Sequence, residues 1–404
     1  MVPRLMLMFP GVGSHHCGMG KTFYDEFRVV RDIFTEASDI LHCDLGKLCF
    51  SPEQKSELDR LENAQAALLC VSVASYRVFV AETGCEQAIY LGYSLGEYSA
   101  LCCAGALTLR DALLLVRDRG LIVTDVAASI DGSMAWVVNI TAQRVEQICE
   151  ALRQEGEAIY ISAYDSPVKT SLSGTHSALR KAGERVVESG GIPIPIKMSG
   201  PFHSPLMQAA ADSFRRLLDG YRYQKPRYPV IANVTARPYE AVGDIPHNLM
   251  LQLVNPVRWQ DSLTCAFGRG VTTSVEIGPK NVLTYVLEKN KPDLKTYVLD
   301  TVQAMKKFHE SVVIGRDDYL RFLSQSLTTI VGTKNYNEDP SEYEQKVILP
   351  FKKIQKAYEE VRAGKVVPNP EIYQDITVLI DGALRAKGMS ETEIAARIKK
   401  LSLR

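Results

Sequence analysis

The chain has 404 residues, 46% of them hydrophobic and 23% charged, enough to bury a core across two or three domains without disulfides or metals. Lys+Arg and Asp+Glu each number 47, and this zero net charge gives no sign of a nucleic-acid or membrane surface. Nine scattered cysteines with no Cys-x-x-Cys pair argue against a secreted disulfide framework and for a reducing cytoplasm.

The opening segment, MVPRLMLMFPG, is too short in its apolar run for a signal peptide, and Leu5 to Phe9 reads as a buried strand. A glycine-rich turn follows (Gly11, Gly13, Gly18, Gly20). Helical patterns fill about Asp25 to Leu41 and Ala64 to Ala81; the second is broken by Gln65, Tyr76 and Arg77, so it reads as a core helix and not a membrane span. A short strand, Ala88 to Leu91, then runs through a sharp turn into another helix, as in an α/β sheet domain.

From Gly132 the pattern changes. Strand Met134 to Ile140, helix Ala142 to Arg153, strands near Ala158 to Ala163 and Lys169 to Ser173, helix Ala178 to Val187 and strand Ile192 to Met198 spell βαββαβ, a ferredoxin-like unit inserted in the larger domain. The chain returns with helix Met207 to Leu218, strand Val230 to Asn233, a helix around Trp259 and strand Thr273 to Ile277. Charged helical patterns then take over: Asp317 to Ile330, Ser341 to Arg362, Glu371 to Ala386 and Ser390 to Leu401, the last opened by a Ser-x-x-Glu capping box, Ser390 and Glu393. The expected organisation is an α/β-hydrolase-like large subdomain (1–131 and 199–304), a ferredoxin-like small subdomain (132–198) and a helical C-terminal extension (305–404), docked or partner-binding.

The sharpest chemical feature is Gly92-Tyr93-Ser94-Leu95-Gly96, a G-x-S-x-G between a predicted strand and a predicted helix. Such a turn exposes the serine and aims the next N–H at a developing oxyanion; the alternative is a tight glycine turn with a bystander serine. Among seven histidines, His203 in the turn-rich SGPFHSP segment is the best candidate base, since loops at strand ends carry catalytic groups. Arg119 falls inside an apolar helical stripe with Ala112, Leu115, Val116, Ile122, Val123 and Val126, whereas Arg117 and Asp118 lie off it. A guanidinium aimed inward needs an anionic partner, which is a substrate or a buried Asp or Glu.

FPGVGS, GYSLGEYSAL, VRDRG (116–120), GPFHSPLM (200–207), QLVNPVRW (252–259) and EIGPKNVL (276–283) resemble, in that order, the blocks of malonyl-CoA:acyl carrier protein transacylases. The likeness spans about residues 4 to 300 and is particularly close to the free-standing, trans-acting acyltransferases of polyketide and hybrid peptide/polyketide synthases. It implies an acyltransferase that carries malonyl, or a close relative, from coenzyme A to the phosphopantetheine thiol of an acyl carrier protein, in polyketide or fatty acid biosynthesis. No permanent cofactor or metal is implied, and the implied substrate is malonyl-CoA or a related acyl-CoA. On single residues, it makes Ser94 the nucleophile and His203 its base, oriented by the main-chain carbonyl of Gln252. Leu95 and Val12 supply the oxyanion-hole N–H groups, and Arg119 binds the malonyl carboxylate. Phe202 resembles the malonyl-selecting form of the family, a modest preference from one apolar contact.

Departures from the family pattern cluster around the same pocket. The usual FPGQGSQ is FPGVGSHHCGMG, with Val12 and His15 in place of glutamines; the usual GHSLG has Tyr93 for its histidine, expected to touch substrate; and Asn-x-Asn-Ser-Pro is Ala163-Tyr164-Asp165-Ser166-Pro167, which loses an amide and adds a potential negative charge. The alternatives these leave are a donor carrying a polar-substituted malonyl group, or an editing hydrolase of acyl carrier protein thioesters on the same fold. Relatives of the latter kind lack the carboxylate-binding arginine. His15-His16-Cys17 is no metal site by spacing, because adjacent side chains diverge and no second ligand pair follows. The glycines from 11 to 20 do not form a dinucleotide fingerprint.

Overall fold

The computed structural model describes residues 4–196, 200–312, 315–366, 368 and 370–401. Among these residues nine strands are formed: β1 (Leu5–Phe9), β2 (Ala88–Gly92), β3 (Gly132–Val138), β4 (Ile159–Ser166), β5 (Lys169–Thr175), β6 (Ile192–Ile196), β7 (Val230–Ile231), β8 (Thr273–Ile277) and β9 (Lys295–Leu299). The chain divides into two compact units, Arg4–Val78 with Ala88–Ala304, and Phe79–Gln87 with the chain from Met305 onward.

The first unit is built on a parallel sheet of order β7-β2-β1-β8-β9. The continuous apolar run of β1, LMLMF, suits a central parallel strand covered on both faces, and all five of its residues are buried. Its carboxyl end and that of β2 lie side by side, with Phe9 paired to Gly92. Ligands of open parallel sheets bind beyond these ends, and both glycine-bearing turns of the sequence are found there.

The inserted unit is a second sheet, antiparallel throughout, of order β4-β5-β3-β6. Helices Ala142–Gln154 and His176–Glu188 cover it, burying Val145, Ile148, Leu152, Ala182 and Val186 against Val137, Ile159 and Leu172. Each helix starts where a threonine caps it: Thr141 accepts from the Arg144 N–H and Thr175 from the Ala178 N–H. This is the ferredoxin-like order expected from βαββαβ. The expected end of β6 at Met198 lies outside the described residues.

The second unit carries helices Val302–Val312, Arg316–Gly332, Pro340–Tyr343, Leu349–Arg362, Pro370–Ala386 and Glu391–Leu401. It has its own core, including Tyr319, Phe322, Leu323, Ile354, Ile380 and Leu384. The capping box forms: the Ser390 N–H donates to Glu393 Oε2 at 3.1 Å and the Glu393 N–H to Ser390 Oγ at 3.4 Å. The helix expected from Ser341 to Arg362 contains a π turn at Glu344–Ile348. Pro350 follows, and without an N–H it cannot make the regular bond back to the Lys346 carbonyl.

Other differences from the sequence reading are local. The helix expected from Asp25 breaks at Phe27, whose backbone is extended between Lys21–Glu26 and Arg28–Leu41. Strand β7 stops at Ile231, and the Asn233 side chain beyond it bonds the backbone of Gly92 and Ser94. Helices Leu45–Phe50, Asp244–Leu251 and Val282–Asn290 and strand β9 have no strong periodicity and go unpredicted. Helix Leu61–Thr83 is long and apolar enough to cross a membrane, but 83% of its most apolar window is buried inside the protein, as a core helix requires.

Candidate active site

The turn after β2 holds Ser94 at φ 51° and ψ −107°, a strained conformation that non-glycine residues rarely adopt. Gly92 and Gly96 make it possible: a Cβ on Gly92 would strike the backbone of Gly96, and one on Gly96 would strike the carbonyl of Phe9 in β1. Asn233 clamps the turn from outside. Its Oδ1 accepts from the Ser94 N–H at 2.8 Å while its Nδ2 donates to the Gly92 carbonyl at 2.6 Å.

His203 also has a positive φ, 57°, in a tight segment where Ser204 Oγ donates to the Pro201 carbonyl. Its Nδ1 is 2.7 Å from the Gln252 carbonyl, which can only accept, so Nδ1 carries the proton. Nε2 is then the lone-pair nitrogen, and it accepts from Ser94 Oγ at 2.9 Å. Burial, and secondarily the Arg119 charge, push the imidazole down to about 4, although the Gln252 carbonyl pulls the other way. The imidazole is therefore neutral at physiological pH.

This sets a pH dependence. Labelling of Ser94 by a fluorophosphonate, which needs the base alone, is expected to be nearly as fast at pH 5.5 as at pH 7.5. An imidazole titrating at its ordinary 6.5 would by then have lost about tenfold. Pseudo-first-order labelling rates between pH 5 and 8 decide between the two.

Arg119 lies on helix Leu109–Ala128, which Thr108 caps by accepting from the Asp111 N–H at 3.0 Å. The guanidinium is only 5% exposed, with Ala112, Leu115, Val116 and Val123 buried on the same side, whereas Arg117 and Asp118 are half-exposed. Its Nη1 donates to Gln65 Oε1 at 2.9 Å, and its Nη2 to Gln252 Oε1 at 3.1 Å and to Ser94 Oγ at 3.3 Å. These partners are all neutral; among the described residues no carboxylate is in direct contact with Arg119, and the buried carboxyl of Glu97 reaches it only through the Gln252 amide.

The remaining expected residues fall around this centre. Leu95 is the first residue of helix Leu95–Cys103, so its N–H is among those a helix leaves without an internal partner. Val12 is 44% exposed in the turn after β1, where Gly11 packs so closely on the Tyr93 carbonyl that a Cβ would not fit. Lys280, from the EIGPKNVL block, holds that turn by donating to the Gly13 and His15 carbonyls at 3.1 and 3.3 Å. Phe202 is half-buried beside Gly200, and its carbonyl accepts from Ser173 Oγ at 2.5 Å. A cleft of about 290 Å³ lined by Tyr160, Ile161, Tyr164, Val254 and Asn255 opens onto His203.

Tyr93 is placed differently from a substrate contact. Its hydroxyl donates to Asp165 Oδ1 at 2.7 Å and its ring packs on Trp259 with centroids 5.5 Å apart. Asp165 is itself buried and also accepts from Ser171 Oγ at 3.0 Å. Two departures from the family pattern thus satisfy each other, and the negative charge that Asp165 adds is spent on the fold. The side chains of His15, His16 and Cys17 diverge, toward Asp59, the Ser14 carbonyl and the Phe50 carbonyl.

Three residues of the centre escaped the sequence reading. Gln65 was visible only as an interruption of an apolar helix, Asn233 as the end of a strand, and Glu97 as part of a motif. The available signal was the same for each: a polar residue in a stretch otherwise destined for burial.

With this geometry in view, comparison with known proteins assigns the family. Residues 6–326 match the model described as "Acyl transferase domain". The chain belongs to the acyl transferase domain family. Within that family, it is 32% identical over 368 residues to a malonyl CoA-acyl carrier protein transacylase of Bacillus subtilis, covering 90% of this chain and 91% of that one. A stretch of that length reaches into the helical second unit. Among solved structures, a malonyl-transacylase in complex with its type II PKS acyl-carrier protein superposes with a TM-score of 0.72 at 32% identity, covering 76% of this chain and 99% of that one. The malonyl CoA-acyl carrier protein transacylase of Coxiella burnetii gives 0.74 at 30% identity, over 78% and 99%. The mixed α/β architecture is that of these acyl transferases.

Proposed function

We propose that the chain transfers a malonyl group from coenzyme A to the phosphopantetheine thiol of an acyl carrier protein through an ester on Ser94. The observation that carries this reading is the Arg119 guanidinium, buried with no carboxylate in direct contact among the described residues and 3.3 Å from Ser94 Oγ. A short dicarboxylic thioester supplies the missing anion and sets its carbonyl beside the nucleophile at once.

Ser94 Oγ attacks the thioester carbonyl as His203 Nε2 takes the hydroxyl proton. The N–H groups of Leu95 and Val12 receive the oxyanion. The C–S bond breaks, His203 returns the proton to the departing coenzyme A thiol, and the malonyl ester stays on Ser94. The carrier-protein thiol then gives its proton to His203 and attacks the ester carbonyl, and the C–O bond to Ser94 breaks as His203 returns that proton to Ser94 Oγ. The Gln252 carbonyl plays the part of a triad carboxylate: it fixes the tautomer of His203 and adds no charge to the pocket. The cleft beside His203 gives a thioester arm its route to the imidazole, and half-buried Phe202 favours an unbranched malonyl. Nine cysteines that form no disulfide among the described residues support a cytoplasmic location.

Intact-mass measurement after mixing with malonyl-CoA tests the reading. A stable adduct of malonyl mass that maps to Ser94 and is discharged by holo acyl carrier protein is expected. Rapid loss of acetyl groups from acetyl carrier protein to water, with no malonyl adduct, would establish the editing hydrolase instead.

A further inference from the structure

The transfer steps leave one buried acid unused. Glu97 is 1% exposed and lies one helical turn beyond Ser94. Its Oε1 accepts from the Tyr239 hydroxyl at 2.5 Å and from the Asn233 N–H at 3.3 Å, and its Oε2 accepts from Gln252 Nε2 at 2.6 Å. These donors, with Arg119 nearby, favour the charged form against the burial that pushes the acid up to about 7.

The side chain of Gln252 has Glu97 at one end and Arg119 at the other. Its Nε2 donates to Glu97 and to the Ser94 carbonyl, at 3.0 Å, while its Oε1 accepts from Arg119 Nη2 at 3.1 Å. An amide can be turned either way, and what it meets at one end decides what it shows at the other. A carboxylate only accepts, so it draws Nε2 to itself and leaves Oε1 for the guanidinium. A neutral group that both donates and accepts would not enforce this choice, and the opposite orientation would set an NH₂ against Arg119.

We propose that Glu97 is a positioning residue that, through the side-chain amide of Gln252, holds Arg119 in the orientation that captures a substrate carboxylate. This rests on the assignment of Arg119 as the carboxylate site. Glu97 touches neither the acyl group nor the reacting atoms. Its effect is confined to donors that bear a free carboxylate.

The test compares kcat and KM of the full-length enzyme, Glu97→Gln, Glu97→Asp and Arg119→Ala with malonyl-CoA and with acetyl-CoA, acyl-Ser94 being read by mass. Glu97→Gln is expected to lower the malonyl-to-acetyl ratio of kcat/KM by roughly 10- to 100-fold. Most of that loss should appear as a raised KM for malonyl-CoA, and Glu97→Asp, still an acceptor only, should recover part of the ratio. Equal losses for both donors mark a merely structural role and overturn the proposal, as does an unchanged ratio in Glu97→Gln while Arg119→Ala lowers it. An unchanged ratio in Arg119→Ala removes the underlying assignment instead. If Glu97→Gln does not fold, Gln252→Met, which keeps the backbone carbonyl on His203 but deletes an amide that also donates to the Ser94 carbonyl, must still lose more with malonyl-CoA than with acetyl-CoA or the proposal falls.

Discussion

Alanine at Ser94 is expected to leave no malonyl adduct, and alanine at His203 to slow adduct formation by about 10⁴- to 10⁶-fold with the fold intact. The two residues act as one device. Without the imidazole the hydroxyl keeps its proton and is a poor nucleophile, and without the hydroxyl the neutral imidazole has no nucleophile to activate in the step that forms the acyl-enzyme. The double variant is therefore expected to be no slower than Ser94→Ala alone, because the second removal deletes a group that has already lost its task. Stopped-flow transfer to holo acyl carrier protein, with circular dichroism on each variant, measures both points. Additive losses in the double variant would show that His203 acts on something other than Ser94, against the 2.9 Å contact between them.

Arg119→Ala should change what the enzyme accepts more than how fast it reacts. Removing one partner of a buried charge-assisted pair costs about 2–5 kcal/mol, so kcat/KM for malonyl-CoA should fall roughly 30- to several-thousand-fold. Acetyl-CoA has no carboxylate to lose and should be spared or improved, since a buried guanidinium without an anion is an expense in its ground state. Competition between equal concentrations of the two donors, read as the mass of the acyl-enzyme, gives the ratio directly. Parallel losses for both donors would demote Arg119 to a structural residue.

The parts of this centre that were legible in the sequence are those with a local signature. The G-x-S-x-G between strand and helix, the histidine in a proline-flanked turn and the arginine inside an apolar stripe each break a local pattern visibly. Periodicity also served where elements are long or fully buried, as in β1 and the ferredoxin-like insertion. What stayed hidden is long-range. Asn233 reaches the Ser94 turn from 139 residues away, and Gln252 reaches Glu97 across 155, and no short window carries such contacts. Tyr93 is the reverse case: it stands next to the nucleophile in sequence, yet its hydroxyl is engaged by Asp165 and its ring by Trp259.

The latch between the two sheets has a further consequence. Strand β4 is tied to the large subdomain by the Tyr164 N–H donating to the Val257 carbonyl at 2.9 Å, the Val257 N–H donating to the Ser162 carbonyl at 2.9 Å, and the Tyr93 to Asp165 bond. These seams lie beside the segment whose Gln252 carbonyl steers the imidazole, so the inserted module is bolted next to the catalytic parts and is not hung from a loose hinge. Chimeras that graft this module from a relative would have to bring a matched acceptor for Tyr93, or else leave its hydroxyl without a partner at the joint.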